Sequence, residues 1–171
     1  MMVSMACYGR LHHAVIDEMV YYLIAHQFAD GGWNCDWDSV AQPSKSSLDT
    51  TLSVLEAFRD YELFGYQNHL DQINKILFSG QAFILKKHLF RFERIKGVIS
   101  PQMMLWHYPP RWKYDAFRAM EYFQSVGFPY DERMEEILAL MVKKMEKGSV
   151  QRAQPFRDYC IFPFLRPNCQ E

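Results

Sequence analysis

The stretch YLIAHQFADGGWNC, residues 22–35, decides how the chain is interpreted. Apolar residues recur at spacings of three and four from residue 11 to residue 28, which predicts one amphipathic helix. Gln27 lies near the end of that run, and Gly31-Gly32-Trp33 follows it directly. Glycine just past the last periodic residue is a helix-stop signal, so the stretch predicts the end of a helix and a tight reversal of the chain.

The rest of the chain also shows mainly helical periodicity. Four further helices are predicted, at residues 47–63, 68–88, 113–126 and 131–146. The first of these starts near Ser47 or Asp49, because either side chain can cap free amide groups. The pair Ser79-Gly80 is predicted to bend or break the helix at 68–88. No β-hairpin signal or useful alternating run occurs, so the predicted fold class is all-α, with helices joined in antiparallel hairpins.

Length and composition predict one folded domain. The chain has 171 residues, of which 49% are hydrophobic and 16% aromatic, and this is enough to bury a substantial core. The aromatic residues either pack in that core or line a cavity for an apolar ligand. We expect a helical domain at residues 1–148 and an irregular tail at 149–171, because three prolines interrupt the tail and no period is sustained there.

Charge and cysteine content exclude several classes of protein. Residues 1–85 carry 4 Lys/Arg and 10 Asp/Glu, and residues 86–171 carry 15 and 10, so the halves have net charges of −6 and +5. The signs are mixed along the chain, and no nucleic-acid partner is predicted. A basic stretch at 86–96 either contacts an anion or forms a solvated surface. The four cysteines form no CxxC pair, which predicts reduced thiols in a cytoplasmic protein without a signal peptide or transmembrane segment.

Two of the predicted helices resemble each other. The run VLEAFRDY, from Val54, aligns with AFRAMEYF, from Ala116, at an offset of 62 residues, and the apolar and small positions coincide. The alignment sets Glu56 against Arg118. An irregular loop precedes each helix and an amphipathic helix follows it, so we predict a repeating helical hairpin, the unit of solenoids and toroids. Chance similarity between two amphipathic helices is the alternative.

The opening stretch resembles the Gln-Trp motif of the squalene and oxidosqualene cyclases and of the wider α/α-toroid superfamily, which includes protein prenyltransferase β-subunits. The motif has an aromatic and an aliphatic residue, three residues, Gln, a short gap and Gly-x-Trp. Tyr22-Leu23, Gln27 and Gly31-Gly32-Trp33 match it, whereas Asp17-Glu18 stand where the family often has a basic and a small residue. The runs SSLDTTLSVLEAF and PPRWKYDAFRAMEYF resemble the inner helices of bacterial toroid proteins of unassigned activity. The resemblance spans about residues 10–147 and implies a partial α/α toroid, an open arc.

Physical chemistry supports a structural role for this motif. Gln27 can bond to backbone groups left free at helix ends, and Gly31 and Gly32 permit left-handed backbone in the reversal. Trp33 is then predicted to be buried against the start of the next helix, near Thr50. We therefore interpret Gln27, Gly31, Gly32 and Trp33 as a scaffold motif.

Catalytic candidates are weak. The resemblance implies acid catalysis through Asp-x-Asp-Asp, but the nearest match, at residues 36–39, ends in Ser39, which leaves Asp38 as a weak candidate. Asp49 and Asp115 lie at or near the starts of the two inner helices. We favour helix capping for both, and the related toroids often carry His where Asp49 stands. No cofactor and no metal-ligand set is predicted.

Three hypotheses about function follow. The first is a non-catalytic toroid-like protein that binds an apolar or isoprenoid-type small molecule or a protein partner. The second is an enzyme of terpenoid cyclisation or prenyl transfer. The third is a truncated remnant of a longer toroid, because a closed ring needs about six hairpins and two and a half are predicted here. An open arc has unmatched ends, so we also expect self-association or a partner.

Overall fold

The computed structural model describes residues 2–35, 43–94, 97–106 and 113–146. Within these ranges the chain forms six α-helices: α1 (Met2–Tyr8), α2 (His13–Ala25), α3 (Leu48–Leu63), α4 (Leu70–Lys86), α5 (Ala116–Ser125) and α6 (Glu135–Glu146). The same ranges contain no β-strand, only two isolated antiparallel bridges, between Trp33 and Ser47 and between Arg91 and Val98. The predicted all-α class is confirmed.

Helix α1 was missed by the prediction, which began at residue 11 and counted five main helices. Its seven residues bury Val3, Ala6 and Cys7, which share one face because they are three and four positions apart. The helix packs against both α2 and α3. Such a short run has too few turns to show a period by itself, and burial of this face against α3 stabilises it.

Helix α3 lies at the centre of the fold. It packs against α1, α4 and α5, and its eight buried residues are spread around much of its circumference. Ser47 is its N-cap, because the Ser47 side chain accepts a hydrogen bond from the amide of Thr50 at 3.0 Å. Leu52, Leu55 and Phe58 are almost completely buried along it. The core therefore surrounds α3.

The other helices contact elements that are distant in sequence. Helix α2 contacts α4, and α4 contacts the 3-10 turn Glu132–Met134 that leads into α6. A second 3-10 turn, Pro101–Met104, packs against α5. The predicted helix ends at 11–28, 68–88 and 113–126 lie one to three residues outside the observed ends, which is the usual uncertainty of helix boundaries.

Of the predicted bend or break at Ser79-Gly80, the break is wrong. Helix α4 runs without interruption from Leu70 to Lys86. A Cβ atom at Gly80 would lie 2.9 Å from Cζ3 of Trp33 and 3.0 Å from Cδ2 of Leu55. The glycine therefore provides the space in which Trp33 packs against α4.

The remaining predictions about the chain concern membranes, thiols and the tail. No helix in the described ranges is long and apolar enough to cross a membrane. Cys7 is buried and Cys35 is exposed, and both are free thiols. Residues 149–171, predicted as an irregular tail, lie outside the described residues, as does Asp38.

Candidate functional site

Gln27 joins the loop after α2 to the middle of α4. Its side-chain amide nitrogen lies 2.7 Å from the carbonyl oxygen of Gly31, 2.8 Å from Oγ of Ser79 and 3.2 Å from the carbonyl oxygen of Ile76. The predicted bonding to backbone is confirmed. The partners differ from those expected, because Ile76 and Ser79 lie within α4 and not at a helix end.

Gly31 and Gly32 meet different requirements. Gly31 has a φ of +92°, the left-handed conformation that favours glycine, and a Cβ there would lie 2.6 Å from the carbonyl oxygen of Ser79. Gly32 does not adopt positive φ, which corrects the prediction for that residue. It needs the missing side chain for space, since a Cβ would lie 2.6 Å from both Cβ of Ser46 and Oγ1 of Thr51.

Trp33 is buried, as predicted, with 2% of its surface exposed. Its backbone amide donates to Oγ1 of Thr51, near the start of α3, at 3.0 Å. Its indole nitrogen donates to the carbonyl oxygen of Leu23 in α2 at 2.7 Å, and its ring meets the edge of Phe58 at a centroid distance of 5.8 Å. Together with the Gly80 contact, these interactions join α2, α3 and α4 through one side chain.

Asp49 and Asp115 both bind backbone amides next to α5. Asp115 is fully buried and caps α5, because its Oδ1 accepts from the amide of Arg118 at 2.8 Å. Asp49 lies in the first turn of α3 and accepts from the amide of Tyr114 at 2.6 Å. Capping is thus observed for Asp115, whereas Asp49 ties the start of α3 to the residue that precedes Asp115.

In the part of the chain that the structure describes, the apolar cleft between α3, α4 and the C-terminal end of α5 is a candidate for a binding site. It has a volume of about 300 Å³, at the lower end of the range typical of small-molecule pockets. Its apolar lining consists of Phe58, Leu63, Ile73, Leu77, Val126 and Phe128. Phe58 is also the ring that packs on Trp33, so the scaffold motif supports one wall of the cleft.

A buried polar pair interrupts this apolar lining. Gln81 and Tyr122 are 6% and 1% exposed, and their side chains are hydrogen-bonded, with 3.1 Å between the amide nitrogen of Gln81 and the Tyr122 hydroxyl. Burial raises the pKa of Tyr122 to about 12, and the bond from Gln81 acts in the opposite direction. The phenol is therefore protonated at neutral pH and keeps its O–H as a donor.

The guanidinium of Arg59, the cationic group in the lining, is already bonded within the protein. Nε and Nη2 of Arg59 lie 2.9 and 2.8 Å from Oδ1 of Asp60, and Nη1 donates to Oγ of Ser125 at 3.0 Å. Glu62, also in the lining, is exposed. Arg59, Asp60 and Glu62 sum to a negative charge, so this region does not favour an anionic ligand.

The sequence contained one usable signal for this site. Ile73 and Leu77 are four residues apart on the apolar stripe of α4, and Gln81 follows four residues later. A glutamine that continues an apolar stripe indicates a buried polar group, which needs a hydrogen-bond partner. Its partner Tyr122 lies 41 residues away in α5, and no local pattern indicates which tyrosine that is.

A second, more open cleft lies in the basic stretch predicted at 86–96. It has a volume of about 480 Å³ and is lined by Lys86, His88, Arg91, Phe92, Glu93, Arg94 and Glu136. The Arg91 guanidinium is paired with the Glu136 carboxylate of α6, and the Lys87 ammonium lies 4.9 Å from the centre of the Phe83 ring. Part of the basic charge is thus used within the protein, because Arg91 joins the segment after α4 to α6 and Lys87 packs on the end of α4.

Compared with protein-family models, with curated proteins and with solved structures, the chain matches none. The resemblance to the cyclase and prenyltransferase superfamily accordingly stays a prediction. Among the described residues, no group of three His, Cys, Asp or Glu side chains is placed to hold a metal ion.

Proposed function

We propose that the chain is a helical binding protein for a small apolar ligand, which occupies the cleft between α3, α4 and α5. The observation that carries the proposal is the cleft itself, with its apolar lining and the buried Gln81–Tyr122 pair at one place. Mostly apolar walls with a few fixed polar groups are typical of small-molecule sites. The isoprenoid class of ligand comes from the Gln-Trp resemblance alone.

The proposed architecture is an open arc of hairpins related to the α/α toroids. Three observations support it: α3 packs beside both α1 and α5, α2 packs beside α4, and Glu56 pairs with the residue 62 positions later, Arg118. Contacts between equivalent positions of neighbouring units are what a repeat array produces.

The described residues that line the cleft favour ligand binding without catalysis. The carboxylate among the described lining residues is Glu62, and it is exposed. A general acid needs burial or hydrogen bonds that keep the carboxyl protonated. Asp49 and Asp115 do not line this cleft, and both accept hydrogen bonds from backbone amides.

A neutral fluorescent probe tests the proposal. N-phenyl-1-naphthylamine is expected to bind the native protein, and Leu77→Trp is expected to weaken binding at least about tenfold, because the larger ring fills the cleft. Phe78→Trp is the matched control, since Phe78 is the next residue of α4 and is 71% exposed. Equal affinity for the native protein and the Leu77→Trp variant would place the probe elsewhere and refute the proposal.

A further inference from the structure

The Gln81–Tyr122 pair retains hydrogen-bonding capacity that the protein does not use. A glutamine amide has two N–H donors and an acceptor oxygen, and a phenol has one donor and acceptor lone pairs. The single bond between them leaves at least one donor and one acceptor on the pair, whichever group donates. Both residues line the cleft, and no other hydrogen bond engages their side chains in the described part of the chain.

The residues around the pair determine which group of a ligand can form hydrogen bonds with it. Apart from Arg59, Glu62 and Ser125, the rest of the lining is apolar. Away from those three residues, a polar atom of a ligand is stabilised only beside the pair. The nearby Arg59 is already bonded to Asp60 and Ser125. A diphosphate or carboxylate would therefore enter the cleft without an available cation.

We infer that Gln81 and Tyr122 recognise a single uncharged hydroxyl or carbonyl oxygen on an otherwise apolar ligand. The inference rests on the proposed function, and it narrows the ligand class to neutral mono-oxygenated molecules such as an isoprenoid alcohol or ketone. A hydroxyl both donates and accepts, so it can bond to the donor and to the acceptor that the pair leaves free. A hydrocarbon leaves both groups without a partner, which costs binding free energy.

Three probes of similar carbon skeleton test the inference: geraniol, the hydrocarbon myrcene and geranyl diphosphate. Binding of the two volatile probes is measured by headspace partition and gas chromatography, and binding of the diphosphate by calorimetry. The native protein is expected to bind geraniol about tenfold more tightly than myrcene, and more tightly than the diphosphate.

Substitutions localise the preference to the pair. Tyr122→Phe and Gln81→Met are each expected to reduce the ratio of geraniol to myrcene affinity severalfold while myrcene binding persists. Tyr114→Phe is the control, because Tyr114 is also a buried tyrosine, but its hydroxyl donates to the carbonyl oxygen of Leu89 and does not line the cleft. Circular dichroism establishes that each variant is folded.

The outcomes separate the inference from the proposed function. Equal binding of geraniol and myrcene by the native protein overturns the inference and leaves the apolar cleft standing. Tightest binding of the diphosphate also overturns the inference. Failure of both geraniol and myrcene to bind overturns the proposed function and the inference with it.

Discussion

Arg118 of α5 forms an ion pair with Glu56 of α3, the residue that the internal repeat aligns with it 62 positions earlier. The Arg118 Nε donates to Oε1 of Glu56 at 2.8 Å, and Nη2 contacts the other carboxylate oxygen. The side chains are only 8% and 18% exposed. Opposite charges at these two positions let α3 and α5 pack where two identical charges would repel.

The first prediction concerns this ion pair. Arg118→Met is expected to lower the free energy of unfolding by about 3 kcal/mol, because it leaves Glu56 largely buried without its cation. The double variant Arg118→Met/Glu56→Met should lose less unfolding free energy than the two single variants lose in sum. A double-mutant cycle in urea measures this difference.

Arg133→Met provides the matched control for that cycle. Arg133 pairs with Asp131 two residues away, and its side chain is 38% exposed. Exposed pairs of this kind contribute about 0–1 kcal/mol. Additive effects of the Glu56 and Arg118 substitutions would contradict the view that the pair acts as a unit.

The second prediction concerns Trp33. Trp33→Ala should cost about 3–5 kcal/mol, because a large buried ring is removed from the junction of α2, α3 and α4. Trp33→Phe keeps part of the packing and loses the bond to Leu23, so its loss should be smaller. Thermal unfolding measures both, and an unchanged melting temperature for Trp33→Ala would refute the scaffold role.

The third prediction concerns Gly80. In an exposed helix, Gly→Ala stabilises by about 1 kcal/mol. Gly80→Ala should instead destabilise by about 1–3 kcal/mol, because the added Cβ meets Trp33 and Leu55 at about 3 Å. In a Trp33→Leu background, Gly80→Ala should lower the free energy of unfolding by less. An equal loss in both backgrounds would show that the added Cβ does not clash with Trp33.

The fourth prediction concerns alkaline pH. The folded pKa of Tyr122 is raised to about 12 from an ordinary value of 10.0, chiefly by burial, with the charges of Arg59 and Glu56 nearby. A raised pKa means that the folded state holds the proton more tightly. The resulting stability is complete below pH 10 and is lost as pH rises from 10 to about 12.

Tyr122→Phe should reduce that loss by on the order of 2 kcal/mol, measured by chemical unfolding across the alkaline range. Some loss should remain, because burial also raises the pKa of Tyr61 and Tyr114. Tyr21→Phe, at a position that is 59% exposed, should leave the curve unchanged. If stability depends on pH in the same way for the native protein and Tyr122→Phe, ionisation of the phenol does not lower the free energy of unfolding.

The fifth prediction concerns self-association. Met2, Met5 and Tyr8 of α1 are 72%, 66% and 79% exposed, and apolar patches of this kind usually mark interfaces. Sedimentation at micromolar concentration should show a dimer or larger species.

Met5→Glu should shift that equilibrium towards the monomer, because it places a charge in the apolar face of α1. Phe78→Glu, on α4, is the control and should not shift it. If the native protein sediments as a monomer, the prediction that the exposed face of α1 is an interface is wrong.

The sequence by itself determined the helical class and the turn at Gly31. Both depend on interactions within a few residues: a period of three and four, a capping serine at 47 and a glycine at 31 with positive φ. Local patterns of this kind can be read from one chain segment at a time. The repeat alignment set Glu56 against Arg118, and the two residues form an ion pair, whereas the repeat itself stays a prediction.

The tertiary structure alone decided which distant residues meet. Helix α1 is too short to show a period. Gly80, where α4 was expected to bend or break, leaves the space for Trp33. Gln81 and Tyr122 form a polar pair only because α4 and α5 pack in one register across 41 residues of chain. That register follows from the fit of whole helix faces around α3, a property of the packed core that no single segment carries.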